Sequence, residues 1–236
     1  FTGAEGVAYD AGLAVAVIFL ANGLGYIVNL AITAPLFRQM RAITFPEVVH
    51  QRFDTTTQQL YVWIGTGFGI LTASLTLWGV ALFASAVFGF DVQLLIIILG
   101  AVIVLYSTIG GSWSVMATDF LQALILVPMT ILIMYLALNS IGGVSGFMEQ
   151  IHEQDLTRML DFVDKREGST FTVPWAAAMI TFVLLSYNSI GSSVKYFAVK
   201  DGREARKAAG LAAFLMFGGA ILWFVPPMVA RLQFTE

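Results

Sequence analysis

Six stretches of this chain are long and apolar enough to cross a bilayer as helices, and that constrains everything else. They run at approximately 12–37, 57–88, 92–110, 114–139, 173–195 and 208–231. A helix needs roughly 20 apolar residues to traverse the hydrocarbon core. A membrane β-strand would instead alternate lipid-facing and lumen-facing residues over about ten positions. Runs such as LLIIILGAVIVLY at 94–106 do not alternate. The chain therefore reads as all-α and polytopic, a single transmembrane domain over 1–236 set in a lipid bilayer. Apolar residues at 58% and charged residues at 11% exclude an ordinary water-soluble globule. A net charge of −3 argues against nucleic acid as a partner. With no cysteine, disulfide and thiol chemistry are excluded as well.

The loops give an orientation. Lys and Arg in short loops mark the cytoplasmic side. Arg38, Arg41 and Arg52 follow the first span, and Lys195, Lys200, Arg203, Arg206 and Lys207 follow the fifth. Arg158, Lys165, Arg166 and Arg231 fall on the other side, eight against four. Loops 38–56 and 195–207 are thus expected in the cytoplasm and the acidic loop 140–172 outside, in a cell (inner) membrane. The chain opens on Phe1 with no basic segment ahead of an apolar core and stops at Glu236 without a tail. No cleavable signal is read, and a piece of a longer protein is expected. Thr44 with Glu47 forms a capping box with Pro46 in the first turn, which predicts a short interfacial helix over 45–53. Asp201 with Glu204 does the same at the start of the sixth helix. Weak helical periodicity through Phe147, Ile151, Leu156 and Leu160 predicts a surface helix over 146–163.

Polar residues inside the spans carry the functional signal, because such groups must face protein or water. Asn22, Asn29 and Thr33 share one face of the first span with Gly25 alongside. They either bond to a neighbouring helix or, in the case of Asn22 near mid-depth, line a solute path. In the second span, Gly65, Gly67 and Gly69 with Thr72, Ser74 and Thr76 form small-residue faces suited to close packing. The fourth span places Asp119, Gln122 and Thr130 on one face, and Pro128 is expected to kink it. Asp119 and Gln122 are either a cation pathway or a buried carboxylate group paired with a neighbour or sitting at the wet cytoplasmic rim. The fifth span breaks its apolar run at Ser186, Tyr187, Asn188 and Ser189, followed by Gly191, Ser192 and Ser193. That composition predicts a discontinuous helix whose freed backbone groups face a solute or ion, or else an early exit into the loop. His50 and His152 are isolated. No metal cluster, nucleophile–base pair or phosphate loop is present, so an enzyme is not expected.

Tyr106, Gly110, Gly111, Val115, Thr118, Asp119 and Gln122 match a Y-x-x-x-G-G-x-x-x-V-x-x-T-D-x-x-Q pattern. In this the chain resembles the sodium:solute symporter family, which includes sodium/sugar and sodium/proline-type cotransporters. Gly3, Gly6, Tyr9 and Gly12 fit the family's G-x-x-G-x-x-Y-x-x-G segment. Thr44, Pro46, Glu47, Arg52 and Phe53 fit T-x-P-E-x-x-x-x-R-F. Glu204, Ala205 and Gly210 resemble its next helix start, and Trp223, Phe224, Pro226, Met228 and Ala230 its W-F-x-P-x-M-x-A run. The resemblance implies a LeuT-like fold of two inverted five-helix repeats, of which about six spans lie in this piece. It implies sodium-coupled symport of a small organic solute by alternating access, with sodium as co-substrate and no other cofactor. The main sodium site is expected outside this piece. Asn22, Tyr187, Asn188 and Ser189 become candidate solute contacts, and Asp119 and Gln122 a candidate cation pathway. The family's Q-R pair before an aromatic-apolar pair is here Val194-Lys195 before Tyr196-Phe197, which leaves the solute unassigned. The alternative is a symporter-like membrane sensor domain of a histidine kinase.

The orientation has a direct check. Single cysteines at Gln39 and Gln154 are expected to react with an impermeant thiol reagent from opposite sides of the membrane, Gln154→Cys from outside. Labelling of Gln39→Cys in intact cells would reverse the assignment.

Overall fold

A computed structural model describes the backbone of residues 2–164 and 169–234, and every regular element in it is helical. Lys165 and Arg166, counted above on the outer side, lie outside the described residues. Five helices are long and apolar enough to cross a membrane: Gly6–Gln39, Thr55–Phe88, Val92–Gly111, Ser114–Ser140 and Gly202–Gln233. Two further apolar helices, Val173–Tyr187 and Ile190–Phe197, are bent by 56° at a short break and together form either a sixth, broken span or a re-entrant loop. The chain divides into two compact units, one of Gly3–Asp54 with Thr130–Glu236, the other of Thr55–Met129.

In the first unit the first and sixth spans run antiparallel. Ala8, Val15 and Ala16 pack on Ala220 and Phe224, while Ala34 and Phe37 at the far end pack with Ala205 and Ala209. Alanine recurs at this seam because lipid tails are as apolar as side chains. Helices in a bilayer are then held by close approach and hydrogen bonds, not by escape from water. Phe19 locks the seam edge-on against Trp223 and Phe224, at centroid distances of 5.4 and 4.9 Å. The sixth span continues through Pro226 and Pro227. Asp201 caps its start, accepting from the Arg203 and Glu204 amides at 2.8 and 2.9 Å. The Glu204 amide bond, foremost, holds the Asp201 carboxyl below the ordinary carboxylate range. This cap is complete above the carboxylate range and is lost as pH falls through the lowered value. Glu204 does not complete a box; it pairs with Lys207 at 2.7 Å.

The short helix is Phe45–Arg52. Thr44 makes no side-chain cap there, and Glu47 instead reaches the amide of Ile43 at 2.8 Å. The outer helix is Gly143–Glu153, shorter than the 146–163 periodicity suggests. Asp155 stops it with φ 54. The Leu156 amide bonds back to Ile151 O at 2.9 Å and the Asp155 amide to His152 O at 3.2 Å, the paired closure of a Schellman end. A separate 3₁₀ turn, Thr157–Leu160, follows. Phe147, Ile151 and Met159 bury themselves against Met228, Val229 and Leu232 of the sixth span, so this helix is half core.

In the second unit, Gly89 (φ 73) ends the second span and Asp91 begins the third by accepting from the Gln93 and Leu94 amides. Ala81 and Leu95 are buried in this hairpin. The third and fourth spans part at Gly111, with φ 55 and ψ −153, a conformation that a Cβ would disfavour. The fourth span continues helically through Pro128. Gly65, Gly67 and Gly69 meet no neighbour among the described residues, and Thr72, Ser74 and Thr76 bond back to carbonyls one turn earlier. Large apolar side chains are exposed over most of this unit.

Ile151 is fully buried, whereas Val144 on the same helix is 66% exposed. Ile151→Ala is expected to cost about 2–5 kcal/mol and to lower the melting temperature of the detergent-solubilised full-length protein. Val144→Ala should leave it in place; equal effects would refute this packing.

Candidate functional site

The fifth span stops being an α-helix at Tyr187 because its next residues compete for backbone bonds. Ser189 Oγ donates to Ser186 O at 2.8 Å, Ser192 Oγ to Tyr187 O at 2.5 Å, and Ser193 Oγ to Ile190 O at 2.5 Å. Hydroxyls that fold back onto nearby carbonyls offer an alternative to the helical ladder. The chain turns through a 3₁₀ segment, Ile190–Ser193, into the short helix Val194–Phe197.

The first span holds this break. Asn29 is fully buried. Its Nδ2 lies 3.0 Å from Gly25 O, 3.1 Å from Tyr187 O and 2.9 Å from Asn188 Oδ1. Two N–H groups serve these contacts, so one is shared. Tyr196 OH donates to Asn29 Oδ1 at 2.6 Å. Thr33 Oγ1 donates to Asn188 Oδ1 at 2.7 Å, and Asn188 Nδ2 donates to Leu184 O at 2.9 Å. One amide thus ties together residues before, at and after the break. Two local features let it reach. The first span widens to a π-helix over Asn29–Thr33, a deviation that recurs at functional sites. Gly25 lets Tyr187 close in, since a Cβ there would stand 3.0 Å from Tyr187 Cβ.

Beside the clasp lies an aromatic cluster. Tyr26 and Tyr187 meet edge-on at 4.9 Å. The Lys195 ammonium stands over the rings of Tyr26, Tyr187 and Tyr196 at 4.5, 4.9 and 5.4 Å, within cation–π range. Lys195, the last residue of the span read at 173–195, falls in the second helix of the bent pair. Tyr26 sits 13 residues (39 − 26) before the end of its 34-residue span, or ~20 Å along the helix. The 56° bend carries the ammonium back to that depth.

The candidates named from sequence separate into groups. Tyr187 and Asn188 join the clasp, and Ser189 bonds locally beside it on an exposed edge. Asn22 is half-buried on the same span and makes no hydrogen bond among the described residues. Asp119 and Gln122 lie on the fourth span in the other unit, both exposed. Among the described residues no group of His, Cys, Asp or Glu is arranged to hold a metal. Lys195, Tyr26 and Tyr196 were missed as site residues. The signal was a lone lysine at 195 within reach of the serine-rich break, with a tyrosine on the next position.

The model of the Sodium:solute symporter family matches residues 1–236. Solute carrier family 5 member 4 of Rattus norvegicus is 30% identical over 259 residues, all of this chain and 38% of the relative. Sodium/glucose cotransporter 1 of Mus musculus is 25% identical, again over all of this chain and 39% of its own length. The osmoregulated proline transporter OpuE of Bacillus subtilis (strain 168) is 27% identical over 87% of this chain and 42% of its own. The chain spans about two fifths of the length of these relatives.

Removing Asn29 leaves several partners unpaired at once, whereas Tyr196→Phe removes one hydroxyl. Tyr196→Phe is expected to cost about 1 kcal/mol and Asn29→Ala about 1–3 kcal/mol or more. Melting curves of the single and double variants should show coupling. Strict additivity would mean that the two residues do not act together.

Proposed function

We propose, since this chain belongs to the sodium:solute symporter family, that the full-length protein carries a small organic solute across the cell membrane by sodium-coupled symport. The chain is part of a multi-pass membrane protein and itself holds five or six spans, depending on how the bent pair is counted. The observation that carries the reading is the clasp. A helix is broken at Asn188, alongside Asn29 and Thr33 in the second half of the neighbouring span, and the break is held by polar groups of that neighbour. Discontinuous helices of this kind place backbone and side-chain dipoles at mid-membrane, where a transported solute is bound. The relatives support sodium and a solute as partners by name, one for glucose and one for proline. The symporter-like sensor has no observation in its favour.

In this reading Tyr187, Asn188 and Ser189 shape the solute site from the broken helix, with Asn22 further along the same first-span face. Most of the hydrogen-bonding capacity of Asn188 is taken up by Asn29, Thr33 and Leu184, so Asn188 acts chiefly by setting the shape of the break. Alternation between inward and outward access would then re-form these bonds. Asp119 and Gln122 line the cation's path. Asp119 lies five residues (119 − 114) inside the fourth span, ~7–8 Å from its start. At that depth the field of a charged group is less screened than on an open surface.

Uptake into vesicles bearing the full-length protein tests the coupling. A solute panel offered with sodium, then with potassium or choline, should show accumulation only with sodium. Transport indifferent to sodium and to membrane potential would contradict it. Asn188→Ala should weaken apparent solute affinity at least as much as sodium affinity. Asp119→Asn keeps the shape and removes the charge; it should slow turnover or raise the sodium requirement at normal membrane levels. Unchanged sodium kinetics would remove Asp119 from the path.

A further inference from the structure

Where the first span ends and the sixth begins, an open pocket of about 320 Å³ is lined by Pro35, Asp201, Gly202, Arg203 and Arg206. All five belong to one unit. Pro35 lies four residues (39 − 35) from the end of the first span, and Gly202 opens the sixth. The pocket therefore sits at the border between hydrocarbon and water. The two helix ends approach closely there: a Cβ on Gly202 would stand 3.3 Å from Pro35 Cβ. Ala205 and Ala209 turn into the seam against Ala34 and Phe37, so Arg203 and Arg206 emerge on other faces of the helix. Arg38, one turn beyond Pro35, donates to Lys200 O at 3.3 Å and brings its charge to the same helix ends. The nearby acids are engaged locally. Asp201 accepts from the Arg203 and Glu204 amides, and Glu204 pairs with Lys207. Five cations, Arg38, Lys200, Arg203, Arg206 and Lys207, thus stand against two carboxylates committed to the helix start.

We propose that this pocket holds the headgroup of an anionic phospholipid, with the Arg203 and Arg206 guanidinium groups on its phosphate. A guanidinium fork matches two phosphate oxygens at once. Basic pockets between spans at the membrane surface suit such headgroups. The surplus of positive charge selects against a zwitterionic lipid, whose choline cation would be repelled. Acyl chains can follow the spans into the bilayer, which a soluble anion cannot do, so lipid is held in preference to free phosphate. The site shares no residue with the break and does not depend on which solute is carried.

Native mass spectrometry of the full-length protein in detergent, titrated with phosphatidylglycerol or phosphatidylcholine, tests this. Phosphatidylglycerol is expected to fill one site at least ~10-fold more tightly than phosphatidylcholine, and inorganic phosphate at equal concentration should not displace it. Each basic group near an anionic headgroup contributes roughly fivefold. Arg203→Gln combined with Arg206→Gln should therefore weaken phosphatidylglycerol binding by ~10-fold or more. Arg203→Lys with Arg206→Lys should keep most of it, and Arg158→Gln in the outer loop should leave it unchanged. Equal retention of the two lipids would mean that another part of the protein fills the pocket, and displacement by phosphate would mean a site for a free anion. Either result, or unchanged binding in the double glutamine variant, overturns the proposal. Should that variant fail to fold, Arg206→Gln alone decides, with a loss of about fivefold expected and no loss overturning the assignment.

Discussion

A broken helix in a bilayer exposes backbone groups where no water can satisfy them, and here the Asn29 amide meets that requirement. It is buried, it bonds to the last helical carbonyl before the break, and it accepts from a tyrosine after it. The serine hydroxyls of the fifth span complete the set from within. A lone polar side chain could not do this from an ordinary helix. It needs the glycine that admits Tyr187 and the π-turn that shifts Asn29 and Thr33 into register with Asn188.

The clasp in turn depends on the seam between the first and sixth spans. Tyr196 reaches Asn29 because its ring lies on Phe37 at 6.1 Å and packs with Ala205 and Ala209. Alanine at those positions brings the helices close. Larger residues would push the short helix Val194–Phe197 away and take the tyrosine hydroxyl with it. At the other end of the sixth span, the outer helix seals onto Met228 and Leu232. Packing at both ends thus fixes the depth at which the break sits.

The spans were legible because length and apolarity are one-dimensional properties. The break was legible as well, since serine and asparagine in an apolar run have few other uses. The choice among Asn22, Asn29 and Thr33 was not, because all lie on one helical face and only the bend of the partner decides which are met. The contact of Lys195 with Tyr26 was hidden for a related reason: counting along the chain puts Lys195 at the edge of its span, while the 56° bend brings it against Tyr26. The outer helix ended early because aspartate, not glycine, adopts the left-handed stop at Asp155. Glu47 capped Ile43 where the pattern pointed to Thr44. Both are choices between neighbouring amides that sequence spacing does not separate.

The central claim is that Asn29 keeps the backbone of the break closed. Hydrogen exchange read by mass spectrometry on the full-length protein tests it most directly, comparing wild type with Asn29→Ala. The account predicts slow exchange over 187–193 in the wild type and a marked rise confined to that segment in the variant, with 173–184 unchanged. Equal exchange over 187–193 in both proteins would contradict it.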